Sequence, residues 1–572
     1  MSWLFGFYSK NKYDVDWISR LHPKPIFSFV ETNYYLAAGG NSRLVYTNPH
    51  GSNIRFLVCG LGISENAETL LNAEDWQAVL NNYPAGIDFL NGHFCGALIK
   101  NNSIHLFTDK LGLREFHILE NDNGWYFSTR LDWLLKIKKC EINFGEFSSR
   151  WLTINQLSNE SVIKDFIRLN CGSKAIISKD KFEIKKDNWL PNSSSTHPVT
   201  DFSEKLRALI LLGMKDNSKI SLSLSGGLDS RVILSILLNS GYKNWDCHTF
   251  ITDIEMDSMV AKKIITDFQI PHHEFSENAF AKNKSELISE LFEYIGSTYI
   301  RESAFVSRRL VHYDNLTNEE LIIDGAFGEV WRRQYLTRFY YSGKKHLEEG
   351  NYGRLYDFLK SNRANIFNVD IKNLMYHGVI SQLKEIERNL SDWKDIGWGN
   401  WLDLFAIKTK LPNYYSTEQA RIDGLVRAYM PFVQINLFNE LFNIPLSERK
   451  NYRLFKKIIF SNVKELTRYN LVKGNTSYPF YLSPILKKIY LVISSKINPP
   501  VSSIALDHFL TYIKEFVMDS MLSNSAKTYS PYNYKEIYEK VNRYYKGETS
   551  QNNFVDWFIT FEIFRQIVEG RN

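Results

Sequence analysis

The sequence predicts a two-domain α/β protein, and three observations point to it. Residues 1–190 consist of short apolar runs broken by Asn, Gly and Asp, a polar stretch follows, and residues 201–572 mix helix-length patterns with a few apolar strands. Taken in order, the runs at 54–59, 94–99, 104–108, 125–128 and 175–178 read as strands of a β-rich domain spanning 1–190. The segment PNSSSTHP at 191–198 reads as an interdomain linker within 191–200. Beyond it, strands and helices grade into an all-helical end, where 554–567 places apolar residues on one helical face.

Composition excludes several classes. At 572 residues, with 44% hydrophobic and 23% charged, the chain reads as ordinary globular protein with room for large buried cores. A net charge of +6 is too small and too dispersed for the concentrated basic face that nucleic acid requires. None of Cys59, Cys95, Cys140, Cys171 and Cys247 forms a CxxC pair, which argues against a disulfide framework and against zinc or iron–sulfur sites. No charged leader with a long apolar run opens the chain, and the greasy patch at 489–493 is far short of a membrane span. The expected protein is cytoplasmic, with neither nucleic acid nor membrane as partner.

The chemistry begins at residue 220. The run ISLSL alternates like a strand, 231–238 reads as a helix, and between them lies SGGLDS: Ser225, Gly226, Gly227, Leu228, Asp229 and Ser230. A strand, a tight Gly-Gly turn and a helix start place a nest of N–H groups at the positive end of a helix dipole. The glycines let polyphosphate approach without a Cβ in the way. Ser225 and Ser230 add hydroxyl donors, and Asp229 offers a hard oxygen suited to Mg²⁺. A plain βα turn explains a bare Gly-Gly but not the complete hexapeptide. The segment is neither GxxxxGK[ST] nor GxSxG, which excludes a γ-phosphate hydrolase of that type and a serine esterase.

SGGLDS resembles the pyrophosphate loop of the asparagine synthetase family, and the likeness extends over nearly the whole chain. HTFITDIEMDSMVAKKI resembles that family's second strand and E-x-D-x-x-x-A helix. LIIDGAFGEVWRRQY resembles its G-x-G-x-D-E-x-F-x-G-Y segment, RAYMPFVQINLFNELFNIPL its R-x-P-F-x-D segment, and RLFKKIIF its lysine-bearing helix. In the first domain MSWLFGF, LNGHFCGAL, TDKLGLREFHIL, WYFSTRLDWLL and DFIRLNCGSKAII…DNWLP resemble the glutaminase half, in the right order. The resemblance implies a degenerate N-terminal-nucleophile β-sandwich layer at 1–190 and a pyrophosphatase-type ATP domain at 201–572.

That resemblance also shows what the first domain has lost. Glutamine-dependent members carry a nucleophilic cysteine where this chain has Ser2, a much weaker nucleophile without an activating base. Their oxyanion Asn-Gly pair is replaced by Cys59-Gly60, removing a donor worth a few kcal/mol. Asp75 and Arg43 keep the places of the carboxylate and arginine that hold glutamine, so the resemblance implies a fossil site and a nitrogen donor other than glutamine. β-Lactam synthetases and lasso-peptide macrocyclases are similar members that close rings after adenylating a carboxylate with ATP and Mg²⁺.

On this reading the expected substrate is a small molecule or peptide bearing a carboxylate, with an internal or separate amine. Free ammonia as donor, or a non-catalytic scaffold, are the alternatives, and a homodimer or a biosynthetic partner protein is compatible with either. By resemblance Leu224, Thr252 and Gly325 flank the nucleotide, and Lys456 neutralises phosphate charge, with Arg453 or Lys457 as substitutes. The family's metal-binding Asp falls on Gly328, followed by Glu329, and its glycines become Arg332 and Arg333. Glu329 or Asp324 offers a replacement metal oxygen beside Asp229, while Glu329 and Arg333 also suit an i,i+4 pair. His272-His273-Glu274, Cys95 and Glu302 carry weaker signals: strand entry, core residue and isolated acid.

Overall fold

The computed structural model describes residues 2–570 except 12, 49–53, 180, 192–198, 252–255, 277–282, most of 308–319, 362, 474–475 and most of 483–503. The linker at 192–198 therefore lies outside the described residues.

The short apolar runs of the first 190 residues pair into two six-stranded sheets. One runs Phe166–Leu169, Phe116–Asn121, Gly124–Ser128, Trp3–Ser9, Tyr34–Gly39, Phe27–Val30; the other Phe182–Lys185, Lys174–Ile177, Ser103–Thr108, Asn91–Lys100, Arg55–Ile63, Val45–Thr47. The runs expected at 54–59 and 94–99 are the middles of longer strands, paired antiparallel from Arg55 opposite Ile99 to Ile63 opposite Asn91. Leu4, Leu36, Phe116 and Phe127 of the first sheet meet Leu57, Cys59, Cys95 and Leu106 of the second in one buried cluster, the core of a sandwich.

The outer face of the first sheet is covered as well. Trp3, Phe5 and Phe7 share a cluster with Phe558, Phe561 and Phe564 of the last helix, Asn552–Val568. Burial on both faces explains why Trp3–Ser9 reads as continuous apolar sequence instead of alternating. It also corrects the one-faced expectation for the last helix, which is buried almost all round and encloses an Arg565–Glu562 pair at 2.5 Å. Among the described residues no helix is long and apolar enough to cross a membrane.

A third sheet is parallel and five-stranded, in the order His272–Ser276, Trp245–Ile251, Lys219–Ser223, Glu320–Ile323, Arg427–Tyr429. Ile220 lies opposite Trp245 on one side and Leu321 on the other. Its Ile220, Leu222, Leu321 and Ile323 side chains are fully buried, packed with Val232, Ile233 and Ile236 of the helix Leu228–Asn239. The chain leaves the central strand toward one edge for two strands, then returns to its other side for the last two. That reversal sets a topological switch point at the carboxyl ends of Lys219–Ser223 and Glu320–Ile323, where open α/β sheets receive ligands.

Candidate nucleotide site at the sheet switch point

SGGLDS lies at this switch point. The central strand ends at Ser223, and the helix begins at Leu228 with Gly227 as its N-terminal cap residue. The backbone of Leu224 is stitched to the neighbouring strand: its N–H donates to the His248 carbonyl at 2.9 Å, and its carbonyl accepts from Thr249 Oγ1 at 3.2 Å. The Leu224 side chain lies in the core beneath the loop. Ser225 Oγ accepts the Gly227 N–H at 3.1 Å and meets Ser230 Oγ at 3.0 Å, so the two hydroxyls brace the turn internally.

Gly226 is required by contact. A Cβ there would lie 2.8 Å from Val472 Cγ2 and 3.0 Å from the Asp257 carbonyl. The Gly226 carbonyl accepts from Val472 N–H at 3.2 Å and from the buried Arg231 guanidinium at 3.1 Å. Arg231 also donates to the carbonyls of Tyr469 and Asn470, and burial lowers its pKa to about 10. The loop is thereby fastened to the hairpin of Leu471–Lys473 and Thr476–Tyr478. Thr252 lies outside the described residues.

The segment after Glu320–Ile323 packs directly on Asp229. A Cβ on Gly325 would stand 2.7 Å from the Ser230 nitrogen, and one on Gly328 only 2.3 Å from Asp229 Cγ. The carboxylate of Asp229 thus fills the space that a side chain at 328 would take. Arg332 Nη2 donates to Asp229 Oδ2 at 2.5 Å, and Asp229 Oδ1 is buried without a hydrogen-bond partner. Burial raises the Asp229 pKa, with Arg332 opposing.

Glu329 is engaged elsewhere: Lys410 Nζ donates to its Oε1 at 2.5 Å. Burial pushes its pKa up, but Lys410 outweighs it and the net shift is downward. The i,i+4 pair between Glu329 and Arg333 gives way to this contact, and Arg333 faces Asp403 at 3.5 Å. Asp324 accepts the Ala326 N–H at 2.8 Å, and burial raises its carboxyl to about 7. Both carboxylates expected to share a metal ion, Asp229 and Glu329, are therefore balanced by protein cations, and the open oxygen of Asp229 is sealed against Gly328. This donor set does not fit a resident Mg²⁺ held between the two.

Of the candidate lysines, Lys456 on the helix Arg453–Asn462 is partly buried, 5.8 Å from the Tyr452 ring centre and 5.4 Å from that of Phe480; burial lowers its pKa. Arg453 and Lys457 on the same helix are exposed.

In the first domain Ser2 is fully buried, and its hydroxyl donates to the Asp423 carbonyl at 2.8 Å. Asp423 binds His93 at 3.0 Å and Arg114 at 2.6 Å, and Arg114 also donates to the Ser2 carbonyl at 2.6 Å. Cys59 Sγ donates to the Trp3 carbonyl at 3.1 Å, and burial pushes its thiol pKa up. Gly60, at φ +105°, faces the His93 carbonyl at a distance that no Cβ could share. Asp75 forms an exposed capping box with Asn72 on the helix Ala73–Asn81. Arg43 lines a cavity of about 570 Å³ together with Tyr46, Asn72 and Arg427. Asn72, the capping partner of Asp75, lines that same cavity, and the Tyr46 hydroxyl donates to the Arg43 carbonyl at 2.9 Å.

No protein-family model and no curated protein matches the sequence. Among solved structures it is similar to the glutamine phosphoribosylpyrophosphate amidotransferase of B. subtilis complexed with ADP and GMP, at 11% identity over 58% of this chain and 71% of that one, with a TM-score of 0.21. A structure of the allosteric regulatory enzyme of purine biosynthesis gives the same figures. NMN synthetase from Francisella tularensis is similar at 18% identity over 37% of this chain and 94% of that one, with a TM-score of 0.20. Likenesses at that level carry no argument, and the chemistry rests on the geometry.

Sequence reasoning missed two parts of the site. Arg231, next to the motif, looked like the first residue of an ordinary helix, yet it is the clamp on Gly226. Lys487 sits in no motif, but it is buried and donates a hydrogen bond to the Tyr452 hydroxyl. It stands 4.3 Å from the Tyr452 ring centre, and Tyr452 lies too far back along the chain for local sequence pattern to join the two. The weak His272-His273-Glu274 signal resolves into sheet edge contacts: His272 meets Thr249 Oγ1 at 3.0 Å, and His273 meets Asp246 at 3.1 Å. Asp246, His273 and Glu320 lie within ligating distance of one another, but Lys219 pairs with both acids. Cys95 is a core residue, and Glu302 pairs with Arg301 and Arg421.

Proposed function

We propose that this chain is an ATP-dependent, AMP-forming carbon–nitrogen ligase that works without glutamine hydrolysis. A carboxylate oxygen of the substrate attacks the α-phosphorus of ATP and pyrophosphate departs. An amine then attacks the acyl carbon of the adenylate, AMP leaves, and the amine gives up a proton. With both groups in one substrate the product is a lactam or macrolactam, and enclosure at the switch point supplies an effective molarity on the order of 10⁵ M or more. The observation that carries this reading is the complete SGGLDS loop at the switch point of a parallel sheet, with its amides and two serine hydroxyls at a helix start.

Each residue has a role on this reading. The loop amides and the Arg332-backed Asp229 orient the phosphates, and Lys456 neutralises charge as pyrophosphate leaves. The Mg²⁺ that accompanies ATP in solution enters as part of that substrate. The enclosure of Ser2, whose hydroxyl donates to the Asp423 carbonyl, supports an amine donor other than glutamine.

The test is exchange of labelled pyrophosphate into ATP, driven by candidate carboxylates, with Asp229→Ala as control. Carboxylate-dependent exchange that falls at least about 100-fold in the variant is expected. Absence of exchange across broad carboxylate pools, or steady glutamate release from glutamine, would sink the reading.

A further inference from the structure

Beside the loop, cations crowd around one tyrosine. Arg332 lies 5.6 Å from the Tyr452 ring centre, Lys456 5.8 Å and Lys487 4.3 Å. Lys487 also stands 4.5 Å from the Tyr478 ring and is 7% exposed. Two routes tie this cluster to SGGLDS. Arg332 reaches it through Asp229 at 2.5 Å, and the hairpin that carries Tyr478 reaches it through Val472 and the Gly226 carbonyl at 3.2 Å.

Such a cluster is costly. A buried ammonium demands a counter-charge, yet among the described residues the hydrogen-bond partner of Lys487 is a neutral hydroxyl, and the charges that act on it are Lys473, Arg332 and Lys456, all of its own sign. Burial and those three cations lower its pKa to about 7. The backbone here is strained too: Phe327, Arg333, Leu336, Asn451 and Tyr452 all hold positive φ, in the two segments that present Arg332 and Tyr452. Strain and like-charge crowding beside a phosphate loop are offset when a polyanion arrives between the cations.

We propose that the departing pyrophosphate is received by side-chain cations, Arg332, Lys456 and Lys487 around Tyr452, in place of a metal ion held between two carboxylates. The proposal deepens the ligase reading and rests on it. Lys487 is the added residue, a phosphate-binding lysine. Arg332 supplies the positive charge at Asp229, the Asp229 carboxylate fills the space a side chain at 328 would need, and Glu329 is left to bind Lys410.

Calorimetric titration of the full chain with ATP, inorganic pyrophosphate and AMP, each with Mg²⁺ and again in EDTA, tests it. ATP and pyrophosphate should bind in EDTA with an affinity within about tenfold of that with Mg²⁺. Lys487→Met and Arg332→Met should each weaken ATP and pyrophosphate by at least about tenfold and leave AMP within about twofold; Lys487→Arg should restore most of the loss. Lys487→Met should melt no lower than the parent protein, because it removes a crowded buried cation; a merely structural lysine would lower the melting temperature. Binding that requires Mg²⁺ and ignores both Met variants would overturn the cation cluster and leave the ligase reading intact. No binding of ATP or pyrophosphate under any condition would sink both.

Discussion

At the scale of single residues, the site turns on an exchange between positions 229 and 328. The resemblance places an acid at 328, but the chain has Gly328, and the Asp229 carboxylate rests where that side chain would begin, 2.3 Å from a built Cβ. Close packing allows one of the two, not both. Gly328→Ala is therefore expected to fold, since the short Asp229 side chain can rotate away, while breaking the Asp229–Arg332 contact. The pyrophosphate exchange rate should drop by about tenfold or more, with the melting temperature shifted by only a few degrees. An exchange rate equal to that of the parent protein would show that the contact is incidental. The glycine was visible in the sequence; the carboxylate that fills its place was not, because the two positions lie a hundred residues apart.

At the scale of elements, the loop depends on a hairpin far along the chain. Leu471–Lys473 and Thr476–Tyr478 hold Gly226 through Val472, and Arg231 fixes the same carbonyl together with those of Tyr469 and Asn470. Gly226→Ala drives a methyl into Val472 and the Asp257 backbone, neither of which can yield cheaply. It should abolish nucleotide binding while far-ultraviolet circular dichroism stays unchanged, because strand and helix on either side keep their packing. Retained ATP affinity in a folded Gly226→Ala protein would show that the hairpin does not set the loop. Strand and helix positions here were legible: the run at 220–224 became Lys219–Ser223, and 231–238 became Leu228–Asn239. The start of the helix inside the motif was harder to read, because Leu228, Asp229 and Ser230 look like turn residues until the backbone of the loop defines the cap.

At the scale of the whole molecule, the sandwich and the rest of the chain share buried seams. Asp423 gathers His93 and Arg114 from the sandwich and Gln419 from its own helix, and Ser2 closes on its carbonyl. Burial raises its pKa, but His93 and Arg114 together hold it below the usual carboxylate range. Asp423→Ala strips a fully buried guanidinium of its counter-charge and should cost roughly 3–5 kcal/mol in chemical denaturation. Exchange activity per folded molecule should stay within about twofold, since the seam lies away from SGGLDS; a large loss of specific activity with unchanged stability would instead give Asp423 a direct part in the chemistry. The last helix, Asn552–Val568, seals the outer face of the first sheet, which joins the two ends of the chain in one core.

By itself the sequence determined the classes of element, the β-rich first part, and above all the strand–turn–helix at SGGLDS, because these follow from local periodicity and from glycines placed between a strand and a helix. Only the tertiary structure decided which charges oppose one another. Arg332 on Asp229, Lys410 on Glu329, Asp423 on Arg114 and Lys487 against Tyr452 all join positions tens to hundreds of residues apart. The energy of a buried charge depends on what surrounds it in space, and sequence order carries no record of that.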